Sequence, residues 1–547
     1  MGSGHVLVYA FDVFIKLYVA EGYSEREAAE LIMTHNLFGL EIDKRAFQLA
    51  YFALMMKGRQ YSRRILNKNI KLNLHQFSNI DNISEEFYAR IEELSLMDKD
   101  QFTNTLDRFK VLVDKFKAAT EIGSVINVTD INFTDVEEFR NLVNVFPEFS
   151  NMDELYAIPV IHEQLNEMLD IVEIMIAKYA AVVTNPPYLN KMSGILGSYV
   201  TANYKDVKTD LFSVFIKMNS NLLEENGYAG FMTPFVWMFI KSYEQLRDYL
   251  ITNKSISSLI QMEYSAFEEA TVPVCCFTIK NTLLEPIGNY FKLSDFKGGM
   301  KVQEEKVLEG IQNPEVSYFY QTNQENFKKI PGEPISFWVS ENVLNSFDEV
   351  LLRNISISDG QTKTGNNNKY LRLWYEISFQ KFGKKNMWVP HAKGGTYRRW
   401  YGNLDTVINW SNEARLHYQN DNVARIAPEH IWFRKGISWT LISSSNKLSM
   451  RVLPDTATFN LAAPSIFIQP DFLNSHILGL LNSPVAENYR NIFNPTLNTN
   501  IGDILNIPII SGKEDITSNI VEHNIKISKN DWDIFENSWD FKKHSLI

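Results

Sequence analysis

Apolar positions near the start of the chain recur at helical spacing. Val6, Leu7, Ala10, Phe11, Phe14 and Leu17 fall on one face of a helix that begins after Met1-Gly2-Ser3-Gly4-His5. A second helix is predicted around Ser24 to Met33, because Ser24 has Glu27 three residues on, the spacing of a capping box. A short apolar strand runs into Phe38-Gly39-Leu40-Glu41-Ile42-Asp43, and a further helix follows from about Lys44 to Met56. Residues from about Glu85 to Lys178 predict polar-faced helices. The pattern then changes: Ala180-Ala181-Val182-Val183-Thr184 is a continuous apolar, β-branched run that predicts a buried strand, ended by Pro186 and Pro187. An amphipathic helix from Asp210 to Leu223, a turn and strand over Gly227 to Pro234, a helix from Tyr243 to Asn253, and strands over Ile256–Met262 and Val272–Ile279 complete this part. Strands alternating with helices up to about Asn281 predict an α/β fold with a doubly wound, Rossmann-like sheet and a helical insertion at about 85–178.

After about residue 285 the texture shifts to Trp, Tyr, Asn, Lys and Arg, with short strand-like runs broken by Gly and Pro. This predicts a second domain of mixed α/β type over 286–510, following a first domain over 1–285. The polar, tryptophan-bearing stretch 511–547 shows no clear closing element. A length of 547 residues exceeds what one core accommodates. Hydrophobic residues at 45% and charged residues at 22% exclude the disordered and fibrous classes. No apolar run reaches membrane-spanning length and the N-terminus lacks a secretory pattern, so a cytoplasmic location with no membrane partner is expected. Cys275 and Cys276 are neighbours on a predicted strand and point to opposite faces, which argues against a disulfide or a metal site. The net charge of −11 disfavours general polyanion binding, but Lys381 to Trp400 carries six Lys and Arg residues and no acid. Local charge decides contact with nucleic acid.

The candidate chemistry centres on Asn185-Pro186-Pro187-Tyr188 at the strand end, where ligands sit in open α/β sheets. An amide, fixed prolyl carbonyls and a flat phenol can grip the amino group of a planar base and stack on its face. The glycine turn Gly2-Ser3-Gly4 at a helix start, with Glu41 at the end of the next strand, is the order of a nucleotide-binding unit: backbone approach first, then a carboxylate for a ribose diol.

Asn185-Pro186-Pro187-Tyr188 resembles the catalytic motif of amino-group DNA methyltransferases that use S-adenosylmethionine. Gly2-Ser3-Gly4 resembles the tail of that family's cofactor motif, and Gly39-Leu40-Glu41-Ile42-Asp43 resembles its acidic ribose-binding motif. Phe267 matches the second aromatic that clasps the flipped base in adenine enzymes. The motif order, with a recognition domain after it, resembles the γ arrangement of N6-adenine methyltransferases. Thr364 to Arg372, Trp388-Val389-Pro390, Lys393-Gly394-Gly395, Arg399-Trp400-Tyr401-Gly402-Asn403 and Asp531-Trp532 are similar to the PglX-like adenine methyltransferases of BREX phage-defence systems.

The resemblance implies base flipping, since adenine N6 is inaccessible inside a duplex. Asn185 and the Pro186 carbonyl would accept from the amino group, and Tyr188 and Phe267 would sandwich the ring. S-adenosylmethionine would be held by Gly2, Ser3, Gly4, Glu41 and Asp43. Double-stranded DNA, contacted by Lys393, Tyr397, Arg398, Arg399 and Trp400, would be the partner together with other defence-system subunits. The setting is phage defence or restriction–modification, and no metal is required.

The family's cofactor motif begins with a strand ending in an acidic residue and Pro, whereas here Met1 falls inside the motif and the C-terminus stops where the family continues. The expectation is therefore a chain truncated at both ends, with the first strand missing and weak binding of S-adenosylmethionine. The alternative function is a non-catalytic DNA-recognition cassette or a fragment of such an enzyme.

Overall fold

The computed structural model describes residues 1–80, 83–95, 97–145, 152–264, 272–443, 445 and 447–544. The chain is of the mixed α/β class and divides into two compact units, Met1–Trp237 with Gln245–Gln324, and Met238–Glu244 with Glu325–Ile547.

In the first unit, helix His5–Ala20 starts at Gly4, whose φ of 84° suits glycine. A Cβ at Gly4 would lie 2.9 Å from Cα of Ala50, so only glycine lets the two segments meet this closely. Helix Glu25–Leu31 is closed by the Ser24–Glu27 capping box. Strands β1 (Phe38–Glu41) and β2 (Asn73–Gln76) form a parallel pair flanking helix Lys44–Tyr61. Their core is Phe11, Ile15, Met33, Ala50, Leu54 and Leu74. Helices Glu85–Leu94, Lys99–Lys115, Phe133–Asn144 and Met152–Ile176 follow.

A six-stranded mixed sheet comes next. It comprises β3 (Tyr179–Thr184), β4 (Leu223–Pro234), β5 (Ser255–Gln261), β6 (Val274–Lys280), β7 (Ile287–Lys292) and β8 (Phe319–Asn323), in the order β3-β4-β6-β5-β7-β8. It is separate from the β1–β2 pair. Cys275 is buried and Cys276 half-buried on opposite faces of β6, and both are free thiols.

One expectation is corrected here. The run Ala180–Thr184 predicts a buried strand, but among the described residues β3 pairs only with β4, at the edge of the sheet, and Val183 is 59% exposed. An apolar run marks a strand that fits between neighbours, and on one side of β3 the sheet has none. Phe38 at the start of β1 and Tyr179 at the start of β3 touch edge-on, with ring centroids 5.4 Å apart.

The second unit holds two four-stranded sheets. One consists of β10 (Leu371–Leu373), β11 (Trp388–Ala392), β12 (Thr406–Asn409) and β15 (Thr458–Phe459). The other consists of β9 (Ser356–Ile357), β13 (Gly436–Ser438), β14 (Arg451–Leu453) and β16 (Ser465–Ile468). Its main core gathers Trp439, Met450, Ile466, Leu478, Leu481, Tyr489 and Phe493. The C-terminal stretch read as lacking an element contains the helix Glu514–Asp533. Its stripe of Val521, Ile525 and Trp532 is too sparse to stand out in a polar sequence, yet Val521 and Ile525 join this core. No helix among the described residues is long and apolar enough to cross a membrane.

Candidate functional site

The Asn-Pro-Pro-Tyr turn leaves β3 as the pyrrolidine rings require. Pro186 is buried, while Asn185, Pro187 and Tyr188 are exposed. The Tyr188 hydroxyl lies 3.3 Å from both Asn185 Oδ1 and the Met232 carbonyl of β4, so it has two acceptors at long range. The residue is 39% exposed, yet its phenol is pushed up to about 12 by burial. The side chain is partly enclosed and partly open to solvent. The phenol is thus a neutral donor across the physiological range. Phe212, fully buried at the start of helix Leu211–Asn221, meets the Tyr188 ring edge-on at 6.3 Å. No described residue donates to the Pro186 carbonyl.

The turn is held from behind by a residue that the sequence marked only as a helix start. Asp210 accepts from the Leu189 amide at 2.9 Å and, as N-cap, from the Phe212 amide at 3.3 Å. The Leu211 amide in turn donates to the Leu189 carbonyl at 3.1 Å. Burial raises the Asp210 carboxyl above its usual range, against the lowering effect of these amides. The signal available in sequence was a capping acid some twenty positions after the turn, which is too common to single out. Asp210→Ala is expected to destabilise the unit by about 1 kcal/mol through the lost cap, read by urea unfolding, and an unchanged midpoint would remove Asp210 from the capping role.

At the end of β1 the glycine turn and Glu41 come together. Glu41 Oε2 accepts from the Gly2 amide at 2.7 Å and lies 3.5 Å from the Met1 ammonium, while Oε1 accepts from the Ile42 and Asp43 amides at 3.0 and 3.1 Å. A carboxylate offers about four acceptor sites, and three main-chain amides occupy sites on this one. A ribose diol is chemically equivalent to two of them and fits if Met1 and Gly2 yield. Ser3 lies in the same turn and is exposed. Asp43 is spent differently, as the N-cap of helix Lys44–Tyr61, accepting from the Arg45 and Ala46 amides, which hold its carboxyl below the usual range.

In the second unit Lys393 and Tyr397 are exposed. Arg398 pairs with Asp531, donates to the Tyr401 carbonyl and lies 5.1 Å from the centre of the Trp532 ring. The Asp531-Trp532 dipeptide thus anchors the basic segment from the C-terminal helix. Arg399 lies over Tyr397 and donates to the Leu448 carbonyl. Trp400, at φ 71°, packs against the main core of the unit. Of the five residues expected at a nucleic-acid surface, Lys393 and Tyr397 are presented, and the other three are engaged within the unit. Phe267 lies outside the described residues.

Comparison with known proteins bears on the whole chain. Residues 35–267 match the family described as Eco57I restriction-modification methylase. The adenine-specific methyltransferase PglX of Lacticaseibacillus casei (strain Zhang) is 34% identical, over 100% of this chain and 46% of its own length. The adenine-specific methyltransferase BrxX of Escherichia coli O9:H4 (strain HS) is 32% identical, over 100% of this chain and 46% of its own. The chain therefore spans about half the length of these curated relatives. Among solved structures, a nuclease-deletion mutant of the Type ISP restriction-modification enzyme LlaGI, in complex with a DNA substrate mimic, superposes with a TM-score of 0.53 at 11% identity, covering 96% of this chain and 44% of that one. The Type IIL restriction-modification enzyme MmeI, in complex with DNA, gives 0.51 at 10% identity, covering 98% and 72%. At such identities these two likenesses speak for the fold alone.

Proposed function

The chain belongs to the family of PglX- and BrxX-like adenine-specific methyltransferases, and from that premise we propose that it methylates N6 of a flipped adenine in a defined DNA sequence, in a phage-defence or restriction–modification setting. The observation that carries this reading is the turn at the end of β3, where an exposed Asn185 side chain adjoins a Pro186 carbonyl to which no described residue donates. Two acceptors so placed would take the two N–H bonds of an exocyclic amine, raise electron density on nitrogen and orient its lone pair. The partly exposed Tyr188 ring, braced by Phe212, would stack on the base. Phe267 is assigned the opposite face from its sequence context.

S-adenosylmethionine would supply the methyl group, with Gly2, Ser3, Gly4 and Glu41 holding it at the end of β1 and Asp43 supporting them by capping the next helix. In this reading the first unit is a Rossmann-like methyltransferase domain, and the second is a target-recognition domain for double-stranded DNA. Further defence subunits act as partners, in the cytoplasm. DNA from cells expressing the gene should carry N6-methyladenine at one recognition sequence, read by methylation-sensitive sequencing. Its absence there would overturn the proposal.

The main-chain amides that Glu41 already accepts favour a second reading, a DNA-recognition module without catalysis. Because Gly2 must yield to a ribose, calorimetry on the chain is expected to give cofactor binding weaker than micromolar. Micromolar binding would show that Glu41 exchanges its partners readily and would remove the support for the second reading.

A further inference from the structure

Between β11 and Trp400 the chain makes a turn in which three successive carbonyls are held by side chains of the same unit. The buried Arg451 side chain donates to the Gly394 carbonyl at 3.0 Å, the Thr440 hydroxyl to Gly395 at 3.3 Å, and the Asn403 amide to Thr396 at 2.8 Å. Each of these peptides is trans, and in a trans peptide the N–H of the next residue points opposite to the C=O. Anchoring three successive carbonyls to the interior therefore turns the amides of Gly395, Thr396 and Tyr397 outward. All three residues are exposed, and their amides donate to no described residue.

The conformation demands the two glycines, at φ 91° and 108°. A Cβ at Gly394 would lie 2.8 Å from the Ala462 carbonyl, and one at Gly395 would lie 2.8 Å from the Asn403 side-chain nitrogen.

The charge beneath this turn is positive and unbalanced. Arg451 is 1% exposed, its guanidinium is satisfied by the carbonyls of Gly394 and Ser449 and by the Thr440 hydroxyl, and no carboxylate among the described residues pairs with it. Burial alone pulls its pKa down to about 10, so it remains a cation. A buried cation is weakly screened by salt, and Arg451 donates directly to the glycine turn. Lys393 adds a second, exposed cation. Runs of outward amides of this kind make anion-binding concavities.

We propose that the main-chain amides of Gly395, Thr396 and Tyr397, with Lys393 beside them, bind one phosphate of duplex DNA, and that Arg451, Thr440 and Asn403 are positioning residues that set those amides. This rests on the DNA reading above and sharpens it. The segment contacts the DNA backbone chiefly by main chain, which fixes register and carries no base preference.

The test is binding of a labelled mixed-sequence duplex to the full chain over a range of salt. Asn403→Ala changes no charge, yet it should weaken binding several-fold and lower the salt slope by about 0.9, the value of one phosphate. Arg451→Gln should weaken binding by about tenfold with the same loss of slope, although its side chain does not reach the surface. In the unsubstituted chain, labelled with 15N-glycine, the Gly395 amide proton should move downfield on adding the duplex. A bound duplex with an unmoved Gly395 amide overturns the proposal and leaves the DNA reading standing, as does loss of affinity in Lys393→Ala with none in Asn403→Ala. If the unsubstituted chain binds no duplex even at low salt, both fall together.

Discussion

Asn185→Ala is expected to lower the rate of adenine methylation by about 10²–10³-fold, the scale of losing one preorganised acceptor at a reacting centre, while duplex affinity stays within about twofold. The asymmetry follows from the geometry. Among the described residues Asn185 Oδ1 accepts only from the Tyr188 hydroxyl, at a long 3.3 Å. That contact is weak and easily exchanged for an amine, so removing it costs the folded unit little. What is lost is one of the two acceptors that would aim the amine. The Pro186 carbonyl remains, but a single acceptor leaves the amine free to rotate about it. In the proposed reading base stacking on Tyr188 would persist, so the flipped state should still form. Transfer of a labelled methyl group to duplex DNA, run beside anisotropy titrations, separates the two effects. An unchanged rate would take Asn185 out of the chemistry, and a parallel loss of binding would make it an affinity residue.

The elements set by local chemistry were legible in the sequence. The Ser24–Glu27 capping box closes as its spacing predicts, and Asp210 begins its helix. The Asn185–Tyr188 turn was legible for the same reason, since two prolines and a strand before them leave the backbone few choices. Contacts made across long sequence separations were not legible. Arg451 reaches Gly394 across 57 positions and Asn482 stitches to Met450 across 32, and neither pair has a local signature. The same limit explains the basic segment. A count of Lys and Arg between 381 and 400 registers charge, but it does not register that Asp531 neutralises Arg398 from the C-terminal helix. Nor could the apolar run of β3 reveal which of its sides has a neighbour, because pairing belongs to the sheet and not to the strand.

His391 gives a prediction of comparable size, on stability. It lies in β11 two residues before Lys393, with no exposed surface, and its Nδ1 is 2.8 Å from the Thr458 hydroxyl. That hydroxyl also lies 3.4 Å from the Pro390 carbonyl, an arrangement that a proton on Nδ1 would serve, and Nε2 has no hydrogen-bond partner among the described residues. Burial, reinforced by the charge of Lys393, pushes the pKa of the ring down to about 3. In the unfolded chain the value returns to about 6.5. Between these two values the unfolded state holds a proton that the folded state refuses, so stability rises with pH across the window and His391 contributes nothing above it. Fully expressed, the slope is about 1.4 kcal/mol per pH unit. By pH 4.5 the loss reaches about 3 kcal/mol, a large share of the 5–15 kcal/mol typical of a domain. Burial also lowers the pKa of His75 and raises those of carboxyls such as Asp210 and Asp503, so the bare pH profile of the chain mixes several groups. The difference between the chain and His391→Gln isolates one of them, since glutamine can still reach the Thr458 hydroxyl and does not titrate. Urea midpoints followed by tryptophan fluorescence should fall from pH 6.5 to 4.5 in the chain and fall less in His391→Gln, by an amount worth about 3 kcal/mol. Parallel profiles would show that His391 does not set the window.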